Sequence, residues 1–236
     1  MMKVKSASFF KLLLLQCLTV LTFAAQDDSF DFFYFVQQWP ASYCDTKRSC
    51  CYPTTGKPAE DFSIHGLWPN RDDGSWPSNC NVEDSSFNVF EVLDLITRMQ
   101  QDWPSFSCPS SNGVRLWTHE WKKHGTCSRL NQHQYFQTVL DFKEKANLLH
   151  VLEHAGIFPG GFYSVEFIKD AIKACVGYTP FIECNVDQAR NHQLYQVYLC
   201  VDKFASNFIE CPVFPHGRCG GSPIEFPSFS SSRADS

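Results

Sequence analysis

Eleven cysteines follow an apolar leader in this chain, and no other feature narrows its possible folds as much. After Lys3, Lys5 and Lys11 the sequence runs apolar from Leu12 through Ala25, with small residues at Thr22, Ala24 and Ala25 before the polar Gln26. A basic start, an apolar centre and small residues at the end form the pattern of a secretory signal, and the run is shorter than the ~20 apolar residues of a spanning helix. Residues 1–25 are therefore expected to be removed near Ala24 or Ala25, and no later stretch reads as a membrane span. In an exported chain Cys44, Cys50, Cys51, Cys80, Cys108, Cys127, Cys175, Cys184, Cys200, Cys211 and Cys219 read as a disulfide framework. The absence of Cys-x-x-Cys pairs argues against zinc, and the odd number leaves one thiol over.

What remains is enough for one sizeable core, with no repeat, charge block or linker to divide it. The expected organisation is one domain over residues 26–227 and a Ser-rich, disordered tail over 228–236. Loss of the leader removes three lysines and no acid, leaving 17 basic against 25 acidic residues, a net charge near −8. Proteins that grip duplex nucleic acid without sequence preference are usually basic, so DNA is not an expected partner and any nucleic-acid contact must be local.

Hydrophobic periodicity places the main elements. Residues 30–39 are aromatic and almost continuously apolar, which suits a buried central strand ended by Pro40. A short strand through Ile64 would leave His65 at its end, and residues 70–81 read as a loop. Phe90, Leu93, Ile96 and Met99 form a helical stripe from Phe87, with Ser85 or Ser86 to cap it. Further helices are predicted over 133–145 and, capped by Ser164, over 165–175, the latter turning Phe167, Ile168, Ala171 and Ile172 inward. Residues 193–201 alternate as a strand and 208–211 form a shorter one. Helices in mid-chain flanked by strands indicate an α+β fold.

Two segments carry chemistry: Phe62-Ser-Ile-His-Gly-Leu-Trp-Pro69 and Leu116-Trp-Thr-His-Glu-Trp-Lys-Lys-His-Gly-Thr-Cys127. If 117–124 is helical, Glu120 and His124 stand at i and i+4 on one face, and His119 and Lys123 form the same kind of pair on the next. His119 and His124 are i and i+5, about 140° apart on a helix, which is wrong for the two-histidine helix of zinc proteases.

These two segments closely resemble the active-site motifs of the T2 family of secreted ribonucleases. Residues 30 to about 227 are similar to plant S-like members, as in Cys50-Cys-Tyr-Pro-Thr-Thr-Gly56 and Gln193-Leu-Tyr-Gln-Val-Tyr-Leu-Cys200. The resemblance implies a mostly antiparallel sheet flanked by helices, with disulfides Cys44–Cys50, Cys51–Cys108, Cys80–Cys127, Cys184–Cys219 and Cys200–Cys211. Cys175 would be the odd thiol, and its apolar helical neighbours favour burial.

The same resemblance implies an endoribonuclease that cleaves single-stranded RNA through a 2′,3′-cyclic phosphate, with no cofactor and no metal. His124 would be the base, His65 the acid and Lys123 the cation at phosphorus; Glu120 would assist proton placement and His119 would bind phosphate. Trp68, Asn70 and Trp76 would form one base pocket. Gln38 and Tyr43 would contribute to a second, where Leu116 replaces the family's usual Phe and stacks less well. His133, His150, His154, His192 and His216 read as structural or surface residues. The implied protein is a monomer, secreted or sorted to a vacuole, with a storage or defence protein of the same fold as the competing reading. A pollen-rejection ribonuclease fits poorly, because the chain is acidic and has no Asn-x-Ser/Thr site.

Overall fold

The computed structural model describes residues 28–47, 50–81, 85–217, 219–221, 223–229 and 234–235; the leader, 1–25, lies outside them. The first half of the fold runs β1 (Phe32–Gln38), α1 (Pro40–Cys44), β2 (Cys50–Cys51), β3 (Ser63–Asn70), α2 (Ile96–Asp102), α3 (Val114–Lys123) and α4 (Gln132–Lys145). It continues with α5 (Leu148–His154), β4 (Gly161–Tyr163), α6 (Val165–Val176), β5 (Phe181–Val186), β6 (His192–Asp202), β7 (Phe208–Ile209), β8 (Ile224–Phe226) and β9 (Ala234–Asp235). The main sheet has the order β3-β1-β6-β8-β4, with β5 and β7 also paired to β6. All its pairings are antiparallel except β6 with β8, so the α+β class and the mostly antiparallel sheet agree with the sequence reading.

Strand β1 is buried along its whole length because it is covered on both faces. Phe33 and Phe35 join the large core under the helices, whereas Phe32, Tyr34 and Val36 pack on the opposite face with Tyr198 and Cys200. Full burial of a side chain such as Phe35 contributes about 2–3 kcal/mol, so this strand anchors the sheet from both sides. Pro40 sits at the start of α1, where its missing N–H costs nothing, and ends the strand as its sequence suggested.

Several elements differ from the sequence reading. The stripe from Phe87 becomes a 3₁₀ turn over Val89–Val92, capped by Asn88 rather than by Ser85 or Ser86, and a separate α2. Val92, Leu95 and Met99 point inward, while Phe90 and Leu93 are exposed. The broken helix shifts the phase that a continuous one would have kept. In α6, capped by Ser164 as expected, Ile168 and Ile172 are buried but Phe167 is exposed. Packing continues past Pro227: Phe229 is 5% exposed, its ring is 5.9 Å from that of Trp39, and Ala234–Asp235 pairs in parallel with Cys50–Cys51.

Five disulfides close as the resemblance implied: Cys44–Cys50, Cys51–Cys108, Cys80–Cys127, Cys184–Cys219 and Cys200–Cys211. Cys175 is free but exposed, contrary to the burial expected of it. At i+7 from Ile168 it shares that residue's side of α6 but falls in the last turn of the helix, beyond Ile172, so apolar sequence neighbours did not predict its exposure.

Candidate active site

His65 does not end a strand; it is the third residue of β3 and sits in a bulge. Opposite β1, Val36 pairs with Gly66 and Gln37 pairs with Ile64, leaving His65 as the extra residue. An inserted residue breaks the two-residue alternation. As a result Ile64 and Leu67 both enter the helix-side core, while His65 and Trp68, three residues apart, share the other face with ring centroids 4.8 Å apart.

Side chains from the helical layer satisfy the bulge. Trp103 Nε1 donates to the His65 carbonyl at 3.0 Å, Tyr135 Oη donates to the Leu67 carbonyl at 3.0 Å, and Trp117 Nε1 holds the Trp103 carbonyl at 2.9 Å. Gly66 is required by close approach: a Cβ there would overlap Trp68 Nε1 and Glu120 Oε2.

Helix α3 supplies the facing residues. Gly113 caps it at φ 94°, a left-handed conformation that favours glycine, and any Cβ there would meet the Trp117 ring. Trp117, Glu120 and Trp121 form its buried face. His124 closes the last turn through its N–H to the Glu120 carbonyl at 2.9 Å, then leaves helical geometry at φ −120°.

The two segments meet through Trp68. Its indole N–H donates to Glu120 Oε2 at 2.9 Å, and its ring stacks on that of His124 at 5.3 Å and 26°. They line a cleft of ≈ 510 Å³ that holds His65, Trp68, Asn70, Trp76, His119, Glu120, Lys123 and His124. The cleft therefore collects every residue the sequence proposed for catalysis and the first base pocket. It does not include Gln38, Tyr43 or Leu116. Gln38 is buried, Tyr43 packs on Phe106 and Tyr195 at ring distances of 5.7 and 6.5 Å, and Leu116 leans on the core.

Burial sets the protonation of the cleft. It lowers His124 to about 3, with Lys123, His119 and His65 adding repulsion. His65 is lowered to about 4, again mainly by burial, against which a hydrogen bond to Gln196 acts. Glu120, 2% exposed, is raised to about 7 because removing a carboxylate from water outweighs the Trp68 hydrogen bond and the Lys123 charge. His119 is lowered by desolvation and by Lys123. His124 Nδ1 is buried with no hydrogen-bond partner among the described residues.

Sequence reasoning missed Tyr34, Tyr198, Phe214 and His216, which also line the cleft. Tyr34 and Tyr198 lie on strands recognisable as such, but only the pairing of β1 with β6 shows which face they share. Among the described residues no cluster of three or more His, Cys, Asp or Glu is arranged to hold a metal ion.

Imidazoles from two separate elements, a buried carboxyl and a lysine on one cleft are the groups that acid–base chemistry at an anionic substrate requires. Residues 30–211 match the ribonuclease T2 family, and the chain belongs to it: it is an endoribonuclease. It is 66% identical over 232 residues to intracellular ribonuclease LX of Solanum lycopersicum, covering 98% of this chain and 97% of that one. Extracellular ribonuclease LE of the same plant is 59% identical over 222 residues, 92% of this chain and 94% of the relative. The crystal structure of RNase NT in complex with 5′-AMP superposes with a TM-score of 0.83 at 64% identity, covering 85% of this chain and all of that one.

Proposed function

We propose that this ribonuclease cleaves single-stranded RNA by transphosphorylation, without a metal, and then hydrolyses the cyclic product more slowly. The observation that carries this reading is the convergence of His65, His119, Glu120, Lys123 and His124 on one cleft.

In the first step neutral His124 takes the proton of the ribose 2′-hydroxyl, the 2′-oxygen bonds to phosphorus, and the bond from phosphorus to the 5′-oxygen breaks as His65 delivers a proton to it. In the second step water attacks phosphorus, His65 accepts its proton and His124 returns one to the 2′-oxygen, leaving a 3′-phosphate. Lys123 opposes the negative charge that grows on the phosphoryl oxygens. Glu120, protonated on the acid side of 7, offers a hydrogen-bond donor to the same oxygens, and His119 holds the phosphate. Trp68, already stacked on His124, and the exposed Trp76 give the base its platform, with Asn70 beside them.

A base held near 3 and an acid held near 4 favour activity on the acid side of neutrality. Gln38, Tyr43 and Leu116 would form a weaker second subsite beyond the cleft. The disulfides suit an oxidising compartment and so export, to the cell exterior or a vacuole, where the chain would act as a monomer. Phosphate scavenging or defence suits such an enzyme.

The test is digestion of a dinucleoside phosphate in excess chelator, followed by chromatography. A 2′,3′-cyclic phosphate that precedes the 3′-phosphate is expected, with a bell-shaped kcat/KM profile between pH 3 and 8. Folded enzyme that yields a 3′-phosphate with no cyclic intermediate would refute the two-step route. His124→Ala should abolish cleavage while leaving the circular dichroism spectrum intact.

A further inference from the structure

Behind His65 lies a row of side chains that the cleavage reaction leaves unexplained. Gln196 on β6 sits opposite Glu183 on β5, and Tyr198 follows two residues later on the same face. The Gln196 amide lies between His65 and Tyr198, with Nε2 placed 2.8 Å from His65 Nδ1 and Oε1 2.9 Å from Tyr198 Oη; amide oxygen and nitrogen are told apart only by the hydrogen bonds they make, and here those bonds call for the two to be exchanged. Tyr198 Oη in turn reaches Glu183 Oε2 at 2.7 Å.

Counting hydrogens decides which way the amide faces. A phenol has one hydrogen, and a carboxylate accepts but does not donate. The Tyr198 hydrogen therefore belongs to Glu183, the shorter and charge-assisted contact. Tyr198 Oη can then meet Gln196 only as an acceptor, which requires the amide NH₂ on that side. The carbonyl oxygen falls to His65, where only an N–H can satisfy it. In the opposite orientation two acceptors would compete for one phenolic hydrogen.

We propose that Gln196 is a positioning residue whose carbonyl holds a proton on His65 Nδ1, its direction fixed by Tyr198 and Glu183, so that Nε2 is the nitrogen left to serve the leaving oxygen. The inference rests on the reading of His65 as the acid. A carbonyl at Nδ1 stabilises the imidazolium, opposing the burial and the Lys123 and His119 charges that drive His65 down. His124 repels the same ring when charged, Glu120 lies across Trp68, and Tyr195 also meets the Gln196 side chain. An acid must be charged to donate, so this hydrogen bond raises the fraction of competent enzyme at a given pH.

Two measurements test it. Long-range proton–nitrogen correlation on the native chain at pH 7 reads the neutral His65 tautomer directly, whether or not the chain cleaves by the proposed route. Nδ1–H is expected, and Nε2–H would overturn the proposal. The second is the pH profile of kcat/KM for Gln196→Met and Glu183→Gln. Loss of the carbonyl should move the alkaline limb down by about one pH unit in Gln196→Met and less, in the same direction, in Glu183→Gln. The acid limb should stay in place. An alkaline limb that stays or moves upward would refute the proposed direction, because loss of an N–H donor facing Nδ1 would raise the His65 pKa. If Gln196→Met does not fold, the tautomer of the native chain decides. If the native chain makes no cyclic phosphate, the reaction scheme fails, and the tautomer still reports the amide direction.

Discussion

Glu120→Gln should make this enzyme more stable and less active, with the gain confined to one side of the pH scale. The carboxyl is 2% exposed and raised from 4.5 to about 7. Because the folded chain holds this proton more tightly than the unfolded one, the associated stability is fully present below about pH 4.5 and is lost as pH rises through 7. At 1.36 kcal/mol per pH unit the loss amounts to about 3 kcal/mol at pH 8. Glutamine keeps an oxygen for the Trp68 indole N–H and carries no charge to bury. Its stability relative to the parent should therefore match below pH 4.5 and exceed it by about 3 kcal/mol at pH 8, a rise of roughly 6–12 °C in Tm for a domain of this size. The assay is urea unfolding of both proteins at unit steps from pH 4 to 8, where His65 and His124 are common to both and largely cancel. A difference that does not change with pH would refute the account of Glu120. In the same preparations kcat should fall at least a hundredfold, as for removal of a proton-handling group.

The other expectations concern geometry and covalent restraint. Gly66→Ala should separate Trp68 from Glu120, costing about 1–3 kcal/mol by thermal unfolding and at least tenfold in kcat; unchanged activity would contradict the packing at that position. Replacing Cys51 and Cys108 by Ala opens a loop with a sequence separation of 57, worth about 4 kcal/mol in unfolding free energy by chain entropy; a loss below about 1 kcal/mol would show that the strands hold that loop without it.

Local patterns in the sequence carried a large part of this fold. His119, Glu120 and Lys123 were placed on α3, and His124 at its end, because helical spacing is local, and the strand at residues 32–38 because a run of aromatics can only be buried. What remained hidden depends on partners distant in sequence. The bulge at His65 exists only in the pairing of β3 with β1, so a reading of β3 alone ended the strand there. The break between Val92 and Ile96 rephases a stripe that looked continuous, and Phe90 and Leu93 face water in consequence. Cys175 and Phe167 took their expected burial from apolar neighbours, whereas Phe167 is turned off the face that Ile168 and Ile172 bury and Cys175 lies in the last turn of α6, beyond them. Gln196 resembles any polar residue in an alternating strand until Glu183 and His65 are seen on either side of it.

The loop that carries Trp76 leaves β3 at Asn70 and returns at Cys80, which is joined to Cys127 just beyond α3. Hydrogen bonds from the Asn79 N–H to the Lys123 carbonyl at 3.0 Å and from the Cys80 N–H to Thr126 Oγ1 at 3.2 Å hold the same junction. Both ends of the aromatic platform are thus fastened to the frame that carries the proton carriers. The entropy of ordering that loop is lost when the chain folds, before a nucleotide arrives, so stacking on Trp76 translates more fully into affinity than it would on a free loop.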